Sequence, residues 1–415
     1  MQPPEKQHYP NYRWVILTLL FVATTINYFD RIVLNVLVKD IKADLSLSDL
    51  QYGYIVTAFR FTYACGFLIA GRAVDWLGTK LGYLTAILLW SLSAILRGVG
   101  RSLPMLCFWQ GSFGVAASGN FPAAIKSVTE WFPARQRSLA TALFNSGPSI
   151  ALVVGPPIIA LIMSGADNWR WTFVIVGLTG VILAAVWPIL YRQPKHLAVL
   201  NSIQTQNNKT IKWSRLLKHK ETYGIMTGKF CTDPVWWFYI AWLPNYLYDK
   251  RDFNINEIAI ALPLIYGIAI VLGNIAGWAA GFLIRKGLHP RVARKRVMFV
   301  CALFMPLSAL AVFADNPWVV ILLVSLACSA HNGWSANIFT LVGDCFDSAA
   351  VGSVTGLIGF AGGMGGVLIA GLAPAFIVQY FGYVPIFILM GVLHPVAIVF
   401  VHLFIKKGEL IEVSV

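Results

Sequence analysis

About twelve runs of roughly 20 mostly apolar residues follow one another along the chain, and they leave few folds open to it. A bilayer core about 30 Å thick takes about 20 apolar residues to cross as a helix. The runs fall at 14–37, 51–71, 81–99, 104–126, 138–163, 171–191, 223–247, 256–284, 297–314, 317–341, 352–380 and 383–405. In lipid the backbone must satisfy its own hydrogen bonds, so such runs are expected to be helices. Only 12% of residues are charged against 58% apolar. Soluble domains carry about 25% charged residues, so this chain cannot cover a water-facing surface of its size. That excludes a soluble enzyme and a disordered chain alike. The 15 Trp, 15 Tyr and 26 Phe suit aromatic belts at two membrane interfaces. The expected fold class is all-α integral membrane, with twelve transmembrane helices.

The longest polar stretch, 192–222, falls between the sixth and seventh runs and reads as a basic linker. It divides the chain into a six-helix bundle over 1–191 and another over 223–415, which are expected to be pseudo-symmetric. With both termini placed in the cytoplasm, Lys and Arg favour the cytoplasmic segments by about three to one. The net charge of +14 is therefore a topology signal and does not point to nucleic acid. The six cysteines form no C-x-x-C pair and read as small buried hydrophobes, not as a disulfide or metal framework. The polar start, Met1–Tyr12, and the long run after it do not resemble a cleavable signal peptide.

Ionisable groups inside a bilayer are costly and mark functional positions. Asp30, Arg31, Arg60, Lys229 and Asp233 lie well inside the runs. Their formal sum is +1, which favours an anionic guest. Arg31 can fork onto a carboxylate while Asp30 takes up and releases a proton. The competing reading is a structural ion pair with a neighbouring helix. Lys229 and Asp233 are four apart and can pair on one helix face, and Pro234 is expected to break or bend that helix. The same pair has a purely structural reading, as a lock on the bend. Arg60 is either a mid-span anion ligand or a lipid-facing residue reaching for headgroups.

Between the second and third runs stands Gly71-Arg72-Ala73-Val74-Asp75-Trp76-Leu77-Gly78-Thr79-Lys80. Gly71 permits close helix approach, Asp75 can cap a helix N-terminus across an interface, and Gly78 can turn the chain. With Lys80, these residues suit a cytoplasmic gate; an ordinary turn is the plainer reading. Tyr63, Asn145, Ser146, His331, Asn332, Trp334 and Asn337 are further polar candidates for a pore lining. The Gly-rich run Gly362-Gly363-Met364-Gly365-Gly366 reads as a helix contact. No nucleophile motif or metal spacing appears, so neither cofactor nor catalysis is expected.

Several motifs together carry a resemblance over about 12–405. They are Asn27-Tyr28-x-Asp30-Arg31, Gly119-Asn120-Phe121-Pro122-Ala123-Ala124-Ile125-Lys126, Glu130-Trp131-Phe132-Pro133-Ala134-x-x-Arg137, Phe144-Asn145-Ser146-Gly147 and Thr232-Asp233-Pro234-Val235-Trp236-Trp237-Phe238-Tyr239. The chain resembles the major facilitator superfamily and, within it, the anion:cation symporters of hexuronate-transporter type. The resemblance implies two six-helix bundles, alternating access, and proton-coupled import of sugar acids across the bacterial inner membrane. It also implies that Tyr28, Arg31, Tyr63 and Asn145 lie near substrate and that Asp30 is a coupling site. The family usually carries an Arg and a Glu where this chain has Gln110 and Ala117. Arg60 is the expected replacement for the lost Arg, with coupling resting on Asp30 and Asp233.

The expected function is import of an organic anion, a hexuronate such as glucuronate or galacturonate, by a monomer. Arg31 and Arg60 would hold the carboxylate. Tyr28, Tyr63, Asn145, His331 and Asn332 would meet hydroxyls, and Trp236 and Trp237 would wall the sugar ring. The alternatives are another organic anion (aldonate, aromatic acid, organophosphate), a facilitator without proton coupling, or a ligand sensor built on the same fold.

Overall fold

The computed structural model describes residues 11–47, 49–165, 168–192, 212–251, 253 and 255–411; most of the expected linker lies outside these. Helices dominate, and among the described residues the only β pairing is an isolated bridge between Phe346 and Ile411. In chain order the helices are α1 (Tyr12–Val36), α2 (Val38–Leu45), α3 (Asp49–Gly98), α4 (Leu103–Ala117), α5 (Asn120–Trp131), α6 (Ala134–Asn145), α7 (Gly147–Gly165) and α8 (Trp169–Leu190). There follow α9 (Trp213–Leu216), α10 (Lys220–Arg251), α11 (Ile255–Arg285), α12 (Pro290–Phe304), α13 (Leu307–Leu310), α14 (Pro317–Cys345) and α15 (Val351–Gly365). A π-helical segment, Gly366–Leu372, leads into α16 (Ala373–Phe381) and α17 (Tyr383–Phe404).

Among the described residues, eight helical stretches are long and apolar enough to cross a membrane, including Tyr12–Val36, Trp169–Leu190 and Tyr383–Phe404. The protein is a multi-pass membrane protein. Some expected runs are interrupted. The run 104–126 is α4 and α5 joined at Ser118–Gly119, where a Cβ on Gly119 would press into Ala86. The helix after the second run does not stop at residue 71. It continues through Asp75 and Trp76 to Gly78, whose φ of 75° is open to glycine and strained for other residues.

Of the break or bend expected at Pro234, the break is absent: α10 is continuous across it. Pro234 cannot donate to the carbonyl one turn back, that of Phe230. That carbonyl lies against Gly365, and Gly362 likewise lies against the Asp233 carboxylate. The Gly-rich run of α15 thus lets α10 approach closely enough to present Asp233. Cys301, Cys328 and Cys345 are buried as expected, whereas Cys65, Cys107 and Cys231 are only half-buried.

Both described chain ends meet at one end of the helix array. Tyr12 donates to the Leu190 carbonyl, and Trp14 packs edge-on to Phe132. Residues 405–411 lie over the start of α12 and the end of α14, where Ile411 donates to the Cys345 carbonyl and Arg291 to the Lys406 carbonyl. At this terminal end the first and second halves of the chain are sewn together. Gly71 faces Gly352 and Gly356, Gly277 faces Ala142, and Gly281 faces the Arg135 carbonyl. Ser138 donates to Asn337 at 2.9 Å, and Thr340 to Thr141 at 3.1 Å.

A charged knot closes the seam. The buried Asp344 pairs with Arg294, also buried, and with Arg137 from the other half at 3.3 Å. Arg294 reaches back to the Ala134 carbonyl at 2.7 Å, and Arg137 to the Gly343 carbonyl at 2.6 Å. Removing the shared carboxylate leaves two guanidinium groups without their counter-ion. Asp344→Asn is expected to cost about 3–5 kcal/mol, the usual penalty for breaking a buried pair. A lowered unfolding midpoint of the purified protein is the expected readout; an unchanged midpoint contradicts it.

Candidate functional site

Above the seam, near the middle of the helix array, lies a cavity with about 60 Å³ of room for water centres. One water needs roughly 10–15 Å³ on this measure, so the space is a formed polar cavity and not a packing defect. Tyr28, Tyr63, Asn145, Lys229, Asp233, Trp236, Trp237, His331 and Asn332, all candidates from the sequence, line it. Phe121 and Phe339, stacked 5.2 Å apart across the two halves, form part of its floor.

Each lining residue is held by a neighbour. Lys229 and Asp233 form the expected pair at 2.5 Å, with the ammonium 4.0 Å from the centre of the Phe339 ring. Asn145 donates to Ser335 at 3.3 Å, and Asn332 to the Ala269 carbonyl at 3.3 Å. Trp236 stacks on His331 nearly parallel, 5.5 Å between centroids. The His331 Nδ1 shares a hydrogen bond with the His394 Nε2 at 3.2 Å, which leaves Nε2 of His331 for the cavity. A cation, a carboxylate, amides, an imidazole and an indole wall therefore face one small space. That set can bind a polyhydroxylated guest with a charged end.

Arg31 lies behind this lining. It is buried between the rings of Tyr28 and Tyr63, at 4.1 and 4.2 Å, and Nη2 donates to Asn27 at 2.8 Å. Its Nε and Nη1 are buried with no hydrogen-bond acceptor. Both carboxylate oxygens of the neighbouring, buried Asp30 also lack a partner. Asp30 makes no ion pair with Arg31. The charge acting on it most strongly is Arg97, then Arg31.

Two sequence expectations need correction. Arg60, the expected replacement for the anion ligand missing at Gln110, is exposed and lies outside the cavity lining. It stands one helical turn before Ala64, on the side of α3 that the Gly-rich α15 meets at Ala64, Phe67 and Gly71, but farther from the terminal end. Arg97, which the count of Lys and Arg on the two membrane sides assigns to an outer loop, is fully buried instead. It stacks 4.1 Å from Phe113 and donates to Gln110 and to the Asp30 carbonyl, each at 3.0 Å. The exchange leaves the formal balance around the site as it was: the buried Arg31, Arg97 and Lys229 against the buried Asp30 and the half-buried Asp233.

The stretch after Gly71 stays helical up to Gly78, and Asp75 makes the expected cap across the interface from it. Asp75 accepts from the backbone N–H groups of Gly352 and Ser353 at 3.0 and 2.5 Å, capping the first turn of α15 from the other half of the chain. Lys126 pairs with Asp75 at 2.7 Å. Lys80 enters only through its carbonyl, which accepts from the Trp187 indole at 2.9 Å.

The knot of Arg137, Arg294 and Asp344, the buried Arg97 and His394 were missed in the sequence. All but His394, which lies mid-run, are single charged residues near the end of an apolar run, where a run boundary drawn a few residues differently turns a buried group into a loop residue.

The comparisons agree with this architecture. Residues 20–365 match the Major Facilitator Superfamily. The chain is 28% identical to the hexuronate transporter of Escherichia coli K12, over 97% of this chain and 96% of that one. It is 26% identical to the D-galactonate transporter of Escherichia coli O6:H1, covering 90% and 91% respectively. Its fold superposes on the proton:xylose symporter XylE with a TM-score of 0.77 at 14% identity, covering 97% and 98% of the two chains. With the family match extending over most of its length and a formed cavity among its apolar helices, the chain belongs to the Major Facilitator Superfamily and is a membrane transporter, not an enzyme.

Proposed function

We propose that this transporter imports an organic anion, a hexuronate such as glucuronate or galacturonate, together with protons. The observation that carries this is electrostatic. Three buried cations, Arg31, Arg97 and Lys229, stand against the buried Asp30 and the half-buried Asp233 around a cavity with polar groups in its lining. Lys229 is matched by Asp233, and Arg97 has two acceptors. Arg31 alone keeps two donors unmatched, which suits a carboxylate fork. The names of the sugar-acid relatives support the same substrate class.

In this reading the chain crosses the bacterial inner membrane twelve times as a monomer, with both termini in the cytoplasm. Two bundles, 1–191 and 223–415, rock about the cavity, joined by a cytoplasmic linker at 192–222. The terminal end is then the cytoplasmic gate, closed here by Gly71, Asp75 and Gly78 and by the Asp344 knot, so the conformer faces outward. Lys80 supports the turn through its backbone. Protonation of Asp30 removes a charge that no hydrogen bond supports, which lets the loaded carrier reorient. Asp233 holds Lys229 until the substrate displaces it. An aldonate is the second reading, favoured by the similar identity to a D-galactonate transporter.

Uptake into proteoliposomes tests the proposal. Labelled glucuronate should enter saturably and faster with acid outside. Uptake of galactonate but not glucuronate overturns the substrate assignment; uptake indifferent to the pH gradient overturns proton coupling.

A further inference from the structure

On the outer flank of the second half, α12 and α17 part to leave a groove of about 820 Å³. Drug-sized ligand sites span roughly 300–1,000 Å³, so the groove is of ligand size. α12 runs away from the terminal end and α17 runs towards it, so their basic residues gather at one mouth: Lys295 and Arg296 from the first, His402 from the second. The Lys295 ammonium donates to the Ile405 carbonyl at 2.5 Å, which fixes it at the C-terminus of α17. Arg296 is exposed, and the exposed Lys406 and Lys407 follow directly after α17. Among the described residues no carboxylate lines the groove.

One helical turn deeper the walls become apolar. Phe299 and Val300 from α12 face Val399 from α17, and all three are about half exposed. The apolar track continues along α12 to the exposed Leu303. The cavity that holds Lys229 and Trp236 shares no lining residue with this groove. A basic mouth at the membrane interface above an apolar trough suits a guest with an anionic head and a hydrocarbon tail. Basic pockets between transmembrane helices on the cytoplasmic side have this chemistry for acidic lipid headgroups.

We propose that the α12–α17 groove binds an anionic phospholipid. Its phosphate lies among Lys295, Arg296 and His402, and one acyl chain lies along Phe299, Val300 and Val399. A soluble anion has no use for the apolar trough, and a neutral lipid gains nothing from the basic mouth. The proposal is independent of what the transporter carries and takes from the reading above only that this mouth faces the cytoplasmic leaflet.

Native mass spectrometry of the purified, delipidated protein tests it, with added phosphatidylglycerol or phosphatidylcholine as probes. Wild-type protein should retain one phosphatidylglycerol in preference to phosphatidylcholine. Each basic residue near a membrane surface contributes enough for roughly fivefold, so Arg296→Ala should cut the preference about fivefold and Lys295→Ala with Arg296→Ala about 30-fold. Arg296 makes no bond that the fold depends on, so the single variant keeps the test valid if the double variant misfolds. Val399→Trp, which fills the trough and leaves the charges, should lower retention as well. Arg101→Glu with Lys250→Glu, at the other end of the helices, should change nothing. Equal retention of both lipids, full retention by the Arg296 variant, complete competition by inorganic phosphate alone, or a second copy of the chain in place of lipid would each overturn the proposal.

Discussion

Replacing Arg31 by alanine is expected to weaken sugar-acid binding by about 2–5 kcal/mol, or roughly 30-fold to several thousand-fold. The guanidinium is buried between Tyr28 and Tyr63 and has two donors without acceptors, so a carboxylate arriving there gains charge-assisted hydrogen bonds in a low-dielectric site. The fold loses little, because among the described residues the only hydrogen bond given up is to Asn27. Arg31→Lys keeps the charge and loses the planar fork, so it should bind with intermediate affinity. Equilibrium binding of labelled glucuronate to the purified variants measures both. Alanine at 31 with wild-type affinity would mean that the carboxylate is held elsewhere, Lys229 being the next candidate.

Asp30→Asn is expected to abolish accumulation driven by a pH gradient while exchange of internal for external substrate continues. A carboxamide can neither take up nor release the proton. One pH unit supplies about 1.4 kcal/mol, or tenfold accumulation, per coupled proton, and the variant should show none of it. Asp233→Asn should behave differently. It strips Lys229 of its counter-ion and should alter binding itself, since the pair lines the cavity. Proteoliposome uptake with and without a gradient, beside counterflow, separates the two. Gradient-driven accumulation that survives at wild-type level in Asp30→Asn would remove Asp30 from the coupling step.

Much of this was legible in the residues. Apolar runs long enough to cross a bilayer located helices such as α1, α8, α11 and α17 to within a few residues, because lipid leaves the backbone no other way to satisfy its hydrogen bonds. Tyr28, Lys229, Trp236 and His331 were found because polar groups within such runs must turn inward. Asp75 was legible too, since a carboxylate beside a tight Gly turn suits a helix N-terminus, and it caps α15. What could not be read was the direction in which a mid-helix charge points. Arg60 and Arg97 both stand in apolar surroundings in the sequence, yet one is exposed and the other fully buried. Rotation of a helix about its axis decides that, and the packing of α3 on α4 and α15 sets the rotation. The knot at Asp344 was hidden for a related reason: its three members are far apart in sequence and meet only when the two halves close.

The account rests on the surplus of buried positive charge beside the cavity. Calorimetric titration of the purified wild-type protein with glucuronate and with glucose, its uncharged counterpart, tests this most directly. Saturable binding of glucuronate with none of glucose is the predicted result. Equal binding of the two sugars, or binding of glucose alone, would contradict it.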